Sequence, residues 1–238
     1  MNERNIITGI GSVPFRMPAS ALKYAIKEHD VPYCPEMYKI GETLEAIAEK
    51  GTLLCAEEFK RSVYGADLAI VPLPGPVVMW QRKICELEQA PLKVYAAAKN
   101  FLSCLDVGKA IILLSEPGLG EFDDYPPMMD ELSSELPDAL VAVHACGVTD
   151  LEKLMNTVKC VSYNAHLHFD ITQHKEAYAD FRERGGIIIW GIEGIKDVKD
   201  FRSGDMISWT CGLGTYTPDF AWDVKYMLDR TADELLRK

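Results

Sequence analysis

The sequence has no run of about 18 or more apolar residues, so no membrane-spanning helix is expected. It also has no cluster of basic residues. Twenty-five Lys and Arg are scattered among 36 Asp and Glu, leaving a net charge of −11. Such a surface repels phosphates, which argues against a nucleic-acid partner. The opening MNERNIITGIGS lacks a basic stretch followed by a long apolar core, the pattern of an export signal. Cysteine is present, but not in a disulfide or Cys-x-x-Cys pattern. The seven are Cys34, Cys55, Cys85, Cys104, Cys146, Cys160 and Cys211, an odd number. A reducing cytoplasm is the expected compartment, with most of these thiols serving as small buried apolar groups. No internal repeat and no Pro/Gly/Ser-rich linker divides the chain, so residues 1–238 are expected to form one domain.

What is present is an alternation of apolar runs with amphipathic ones. Eight strands are predicted: Asn5–Gly11, Val31–Met37, Ala66–Pro74, Lys109–Pro117, Ala139–Cys146, Cys160–Phe169, Gly186–Ile192 and Asp205–Cys211. Several are almost continuously apolar, as parallel strands covered on both faces are. Helices are predicted over Ala19–His29, Gly41–Lys50, a long span from Val78 to Leu105, Met128–Leu136, Asp150–Val158, Gln173–Arg184 and Pro218–Leu236. Eight strands alternating with helices predict an α/β protein forming a single (β/α)8 TIM barrel. An open doubly wound sheet is the alternative, but GIGSVP and PGLGEF do not complete a GxGxxG phosphate loop. His29 and His174 fall in helical stretches and read as surface residues.

In a barrel, function gathers where strands end. The predicted ends carry Ser12, Glu36, Glu116, His144 with Cys146, the Asn164–His168 region, Trp190 to Glu193, and Cys211. Residues i and i+2 of a strand share a face, so His144 and Cys146 point the same way, about 7 Å apart at Cα. An imidazole with two thiolates, Cys211 supplying the second, is a zinc-favouring donor set. Three protein ligands leave one position open, where a substrate thiol would lose its proton to the ion's charge. The bland alternative is a packed histidine beside a buried cysteine. Spacing alone does not decide between them, because Cys211 lies about 65 residues beyond Cys146.

The order of short motifs resembles the catalytic barrel of cobalamin-independent methionine synthase, within the wider superfamily that includes uroporphyrinogen decarboxylase. The matching pieces are TGIGSVP (Thr8–Pro14), VPYCPEM (Val31–Met37), LPGPVV (Leu73–Val78), LLSEPGL (Leu113–Leu119), VHACG (Val143–Gly147) and WTCGLGTYTP (Trp209–Pro218). The resemblance implies that His144, Cys146 and Cys211 hold zinc and that a methyl group passes to a zinc-activated small-molecule thiol similar to homocysteine. It implies that Ser12 holds a substrate carboxylate and that Glu116 lines the substrate pocket, the one catalytic carboxylate candidate.

Two departures alter the expectation. The family's carboxylate ligand at the sixth strand end has no Glu here; the stretch is SYNAHLHFD, and Asn164, His166, His168 or Asp170 could replace it. Histidine is the better zinc donor, and His168 is the choice among them. The acid that helps bind the amino group of homocysteine is Ser115 here, which leaves the acceptor open. The 238 residues match one barrel of the two-barrel enzyme and are expected to work without the folate-binding one, with a methylated corrinoid protein or a small methylated compound as donor. The alternatives are a metal-free decarboxylase of the uroporphyrinogen type, which would need more basic residues than the lone Arg16 of its opening segment, or a non-catalytic relative that binds a corrinoid protein.

Overall fold

The structure, a computed structural model, describes residues 6–120, 125–147, 149–167 and 170–237. Among these, six strands form one parallel sheet: β1 (Ala66–Pro74), β2 (Val107–Ser115), β3 (Ala139–Ala145), β4 (Cys160–Asn164), β5 (Ile187–Ile192) and β6 (Met206–Trp209). Their spatial order is the chain order, β1 to β6. The α-helices are α1 (Pro18–Leu22), α2 (Leu44–Lys50), α3 (Ala56–Ser62), α4 (Pro76–Gln81), α5 (Ala90–Leu102), α6 (Tyr125–Glu135), α7 (Leu151–Thr157), α8 (Lys175–Glu183) and α9 (Pro218–Leu235). Residues such as Ile111–Leu114, Val141–Val143 and Ile188–Trp190 are buried in succession, on both faces of their strands. That is why their sequences run apolar without alternation.

The expected closed (β/α)8 barrel is not what the chain forms. Its sheet is a six-stranded parallel half-barrel. The two N-terminal segments predicted as strands make isolated bridges instead, Ile7 with Ile207 and Tyr33 with Ile70. Proline explains the second. Ile70 N–H donates to Pro32 O and Cys34 N–H donates to Ile70 O. The next donor in that parallel register is residue 72, a proline with no N–H, and the ladder stops. The Glu36 amide turns the other way, donating to Gly11 O. In the first segment, Gly9 and Gly11 interrupt the extended run. Gly11 takes φ of +134°, and a Cβ on Gly9 would lie 2.3 Å from the Tyr33 ring.

The long predicted helix from Val78 to Leu105 is two helices, α4 and α5. Lys83 between them adopts φ of +57°, and Pro91 is tolerated only because it sits in the first turn of α5. Helix α3 was not expected. The predicted Ala19–His29 helix is α1 continued by a π-helical turn over Lys23–Lys27.

His29 is buried, not on the surface. Its Nδ1 lies 2.9 Å from the Tyr24 carbonyl oxygen, and its ring meets those of Tyr24 and Tyr33 edge-on at 4.9 and 5.1 Å. Burial pushes its pKa from 6.5 down to about 4, with the Lys225 charge adding to the shift and the Tyr24 hydrogen bond opposing it. The folded state therefore resists a proton that the unfolded state accepts near pH 6.5. Stability is complete above that pH and declines as pH falls towards 4, by about 3 kcal/mol from this one group. His29→Gln should flatten that part of a urea-melt pH profile. A variant with the wild-type slope between pH 6.5 and 4 would show that other groups carry the dependence.

Candidate metal centre

The C-terminal ends of the strands define one end of the sheet, and three metal-capable side chains meet there. His144 lies in β3, Cys146 follows its last residue, and Cys211 lies two residues past β6. One donor atom from each, the two sulfurs and an imidazole nitrogen, lies within 4.8 Å of the others. Curvature of the half-barrel brings the tips of β3 and β6 together although β4 and β5 separate them in the sheet. Zinc–sulfur and zinc–nitrogen bonds of about 2.0–2.3 Å require donors spaced roughly 3–4 Å apart, so the set fits one ion after small side-chain rotations.

The imidazole is aimed by its neighbours. Register places Ser115, His144 and Ser162 in one row across β2, β3 and β4. His144 Nδ1 lies 2.9 Å from Ser162 Oγ, while Nε2 is buried and has no hydrogen-bond partner. With Nδ1–H donating to the serine, Nε2 presents a lone pair to the two sulfurs. Burying a polar atom without a partner costs about 1–3 kcal/mol, a cost that a ligand at this point would remove. Ser162→Ala should weaken metal binding roughly 10-fold or more by freeing the tautomer and ring orientation. Competition against a chromophoric chelator measures this; equal affinities would mean that Ser162 does not orient the ring.

The two thiols share a proton unequally. Cys211 is held below an ordinary thiol pKa chiefly by the neighbouring Cys146 thiol, against the opposing effect of burial. Cys146 is pushed up by the same contact and by burial. Cys211 is therefore the more acidic of the two sulfurs, and the thiolate is the form that binds metals.

These groups line a cavity of about 400 Å³, with Ser12, Glu36, Tyr38, Ser115 and Arg82 among its other walls. Glu36, at a predicted strand tip but without an assigned role, is the acid that the sequence reading passed over. Its carboxyl group is buried, Oε1 has no partner, and burial pushes its pKa up to about 8, helped by Glu42 and Cys211. The available signal was an acidic residue ending an apolar, proline-bounded run. Glu42 behaves differently, since its two oxygens accept from the Met37 and Leu54 amides.

The other expected site residues are distributed unevenly. Ser12 lines the cavity, and its Oγ accepts from the Gly214 amide at 3.2 Å. Glu116 is fully buried beside the cavity wall. Its oxygens accept from the Val77 and Val78 amides at 3.0 and 2.8 Å, at the start of α4. Asn164 Oδ1 accepts from the His166 and Leu167 amides and is not part of the three-residue cluster. His166 lies between Glu193 and Asp197, with Nε2 3.4 Å from the first and Nδ1 3.3 Å from the second. Asp170 caps a short 3-10 turn through the Thr172 amide. His168, the preferred fourth ligand, lies outside the described residues.

No family model matches the chain, and no curated protein matches it. Among the described residues, no helix is long and apolar enough to cross a membrane.

Proposed function

We propose that this protein is a zinc-dependent methyltransferase whose acceptor is a small-molecule thiol, as the resemblance to the methionine synthase barrel implies. The observation that carries the reading is the convergence of His144 Nε2, unpartnered in a buried position, with the sulfurs of Cys146 and Cys211 at the wall of a substrate-sized cavity. Soft sulfur ligands with one imidazole favour zinc over the harder divalent ions. Zinc held there supplies positive charge that lowers the pKa of an incoming thiol, making it nucleophilic at neutral pH.

The chain's own residues then have separate tasks. Cys146 and Cys211 offset the charge of the ion, and Ser162 orients His144. Ser12 retains a hydroxyl proton to donate to a polar group on the substrate. Glu36 offers an unpartnered carboxyl oxygen to the cavity. Glu116 supports the wall from behind, with both oxygens occupied by amides. A cavity of about 400 Å³ is within the range that encloses small metabolites. In the overall reaction an S–C bond forms, the methyl–donor bond breaks, and the electron pair of that bond leaves with the donor. A methylated corrinoid protein or a small methylated compound would serve as donor.

The charge pattern of the cavity disfavours the decarboxylase alternative. Arg82 is the basic side chain among the described lining residues, and it pairs with Glu45 at 3.3 Å, while Glu36, Glu42 and Glu45 also line the space. A polycarboxylate substrate would meet one cation, already committed to Glu45, and no further Lys or Arg among the described lining residues. Two measurements test the proposal together: zinc content of freshly purified protein, and alkylation of a panel of thiols by methylcobalamin. About one zinc per chain with methyl transfer to a thiol is expected. Absence of zinc overturns the reading; zinc without alkylation by this donor or by small methylated compounds favours the non-catalytic alternative.

A further inference from the structure

Resting on the reading that Cys211 is a metal ligand, we infer that Ser12 is a positioning residue, the latch that holds the Cys211 loop in ligating geometry. Cys211 follows the end of β6 in a glycine-rich stretch, Cys211-Gly-Leu-Gly214. Leu213 packs into the core, but the glycines on either side of it have no side chain to hold them, and glycine loses more conformational freedom on ordering than other residues. A metal ligand on an unsupported loop would pay that ordering cost on each binding event. Three contacts to Ser12 supply the support.

The Ser12 carbonyl oxygen accepts from the Leu213 amide at 2.8 Å. Its Oγ accepts from the Gly214 amide at 3.2 Å. The loop backbone also lies directly against the side chain: a Cβ built on Gly212 would lie 2.2 Å from Ser12 Oγ, and one on Gly214 would lie 3.0 Å from Ser12 Cβ. Only glycines permit this approach. Ser12 therefore fixes the Gly212–Leu213 and Leu213–Gly214 peptide units, which begin one residue after the ligand.

Ser12 is itself anchored on its other side. It bridges to Glu36, with the Glu36 amide donating to Gly11 O and the Val13 amide donating to Glu36 O. The N-terminal segment, too interrupted to form a strand, thus serves as a brace between a buried cavity acid and a metal-ligand loop. The Oγ acts as acceptor towards Gly214 and keeps its proton for the cavity, so the latch and a substrate contact are compatible.

The test uses the full chain and zinc alone, with no thiol present. Ser12→Ala should weaken zinc binding by about 10-fold in chelator competition, the scale of losing a supporting partner of a ligand. The visible absorption of the Co2+-loaded variant should also change, because the Cys211 sulfur is no longer held in place. A residue that served only substrate would move neither readout. Gly212→Ala should give the same two effects by pushing the loop off Ser12. In wild-type protein, hydrogen exchange should show the Leu213 and Gly214 amides protected, a measurement that needs no folded variant. Zinc affinity and spectrum of Ser12→Ala equal to wild type, or Gly214 exchanging at the rate of an open amide, overturns the inference while leaving the proposed function intact. Wild-type protein that binds no zinc overturns the proposed function instead.

Discussion

Cys211→Ser is expected to emerge from purification without stoichiometric zinc, and with no thiol alkylation. A serine hydroxyl does not give up its proton at neutral pH as a thiol does, so the site loses an anionic soft donor. Loss of a residue that merely supports a ligand costs 10- to 100-fold in affinity, and loss of the ligand itself should cost at least about 100-fold. Cys211 is exposed on the loop after β6, so the substitution leaves the core intact. Zinc loss should therefore come without a large change in thermal unfolding of the metal-free protein. Cys146→Ser should give the same loss. Metal analysis by mass spectrometry with chelator competition provides the measurement; a serine variant that retains wild-type zinc would remove Cys211 from the metal centre.

Asp205→Ala should be among the most destabilising single substitutions in the chain. The Asp205 carboxylate receives both terminal nitrogens of Arg182, at 2.6 and 2.7 Å, with both side chains nearly inaccessible. It also accepts from the Ile188 amide at 2.9 Å, the Trp190 indole Nε1 at 3.1 Å and the Arg202 amide at 3.1 Å. Removing it leaves a buried guanidinium without its counter-charge and strands three further donors. Breaking a buried pair in this way costs about 3–5 kcal/mol. In a domain of this size that lowers the melting temperature by roughly 10 °C or more. Replacing both partners with apolar residues should cost much less, because no charge is left unpaired. Asp205 precedes β6 and pairs at the start of β5, the opposite end of the strands from the metal centre. Zinc content of the folded fraction should therefore be normal. Denaturant unfolding decides the matter: a loss below about 1 kcal/mol would mean that the network contributes little net stability.

The parts of the fold that were legible in the sequence are those set by local pattern. All six strands of the sheet fall within predicted apolar runs or overlap them closely, β1 matching at both ends, because burial on both faces demands uninterrupted apolar residues. Helices α2, α7, α8 and α9 appear near their predicted positions because each buries one face, whose apolar residues recur at the helical period, with Thr43, Asp150 and Thr217 accepting cap bonds at three of their starts. The eight-strand closure was misread because composition shows an apolar run without showing where its amide partners are. In Val31–Met37 the decisive feature was the proline at 72 on the facing strand, a fact about pairing and not about the segment itself.

The metal centre divides along the same line. That His144 and Cys146 share a face was determined by the two-residue period of a strand, a property of covalent geometry. So was the donor chemistry of imidazole and thiol. Tertiary structure alone decided that the β6 tip reaches β3, that Ser162 takes Nδ1 and leaves Nε2 bare, and that a buried Glu36 whose Oε1 has no partner lines the same cavity. These depend on strand register and sheet curvature, which arise from the packing of residues far apart in the chain. Local sequence specifies what a side chain can do; only the summed long-range contacts specify what it meets.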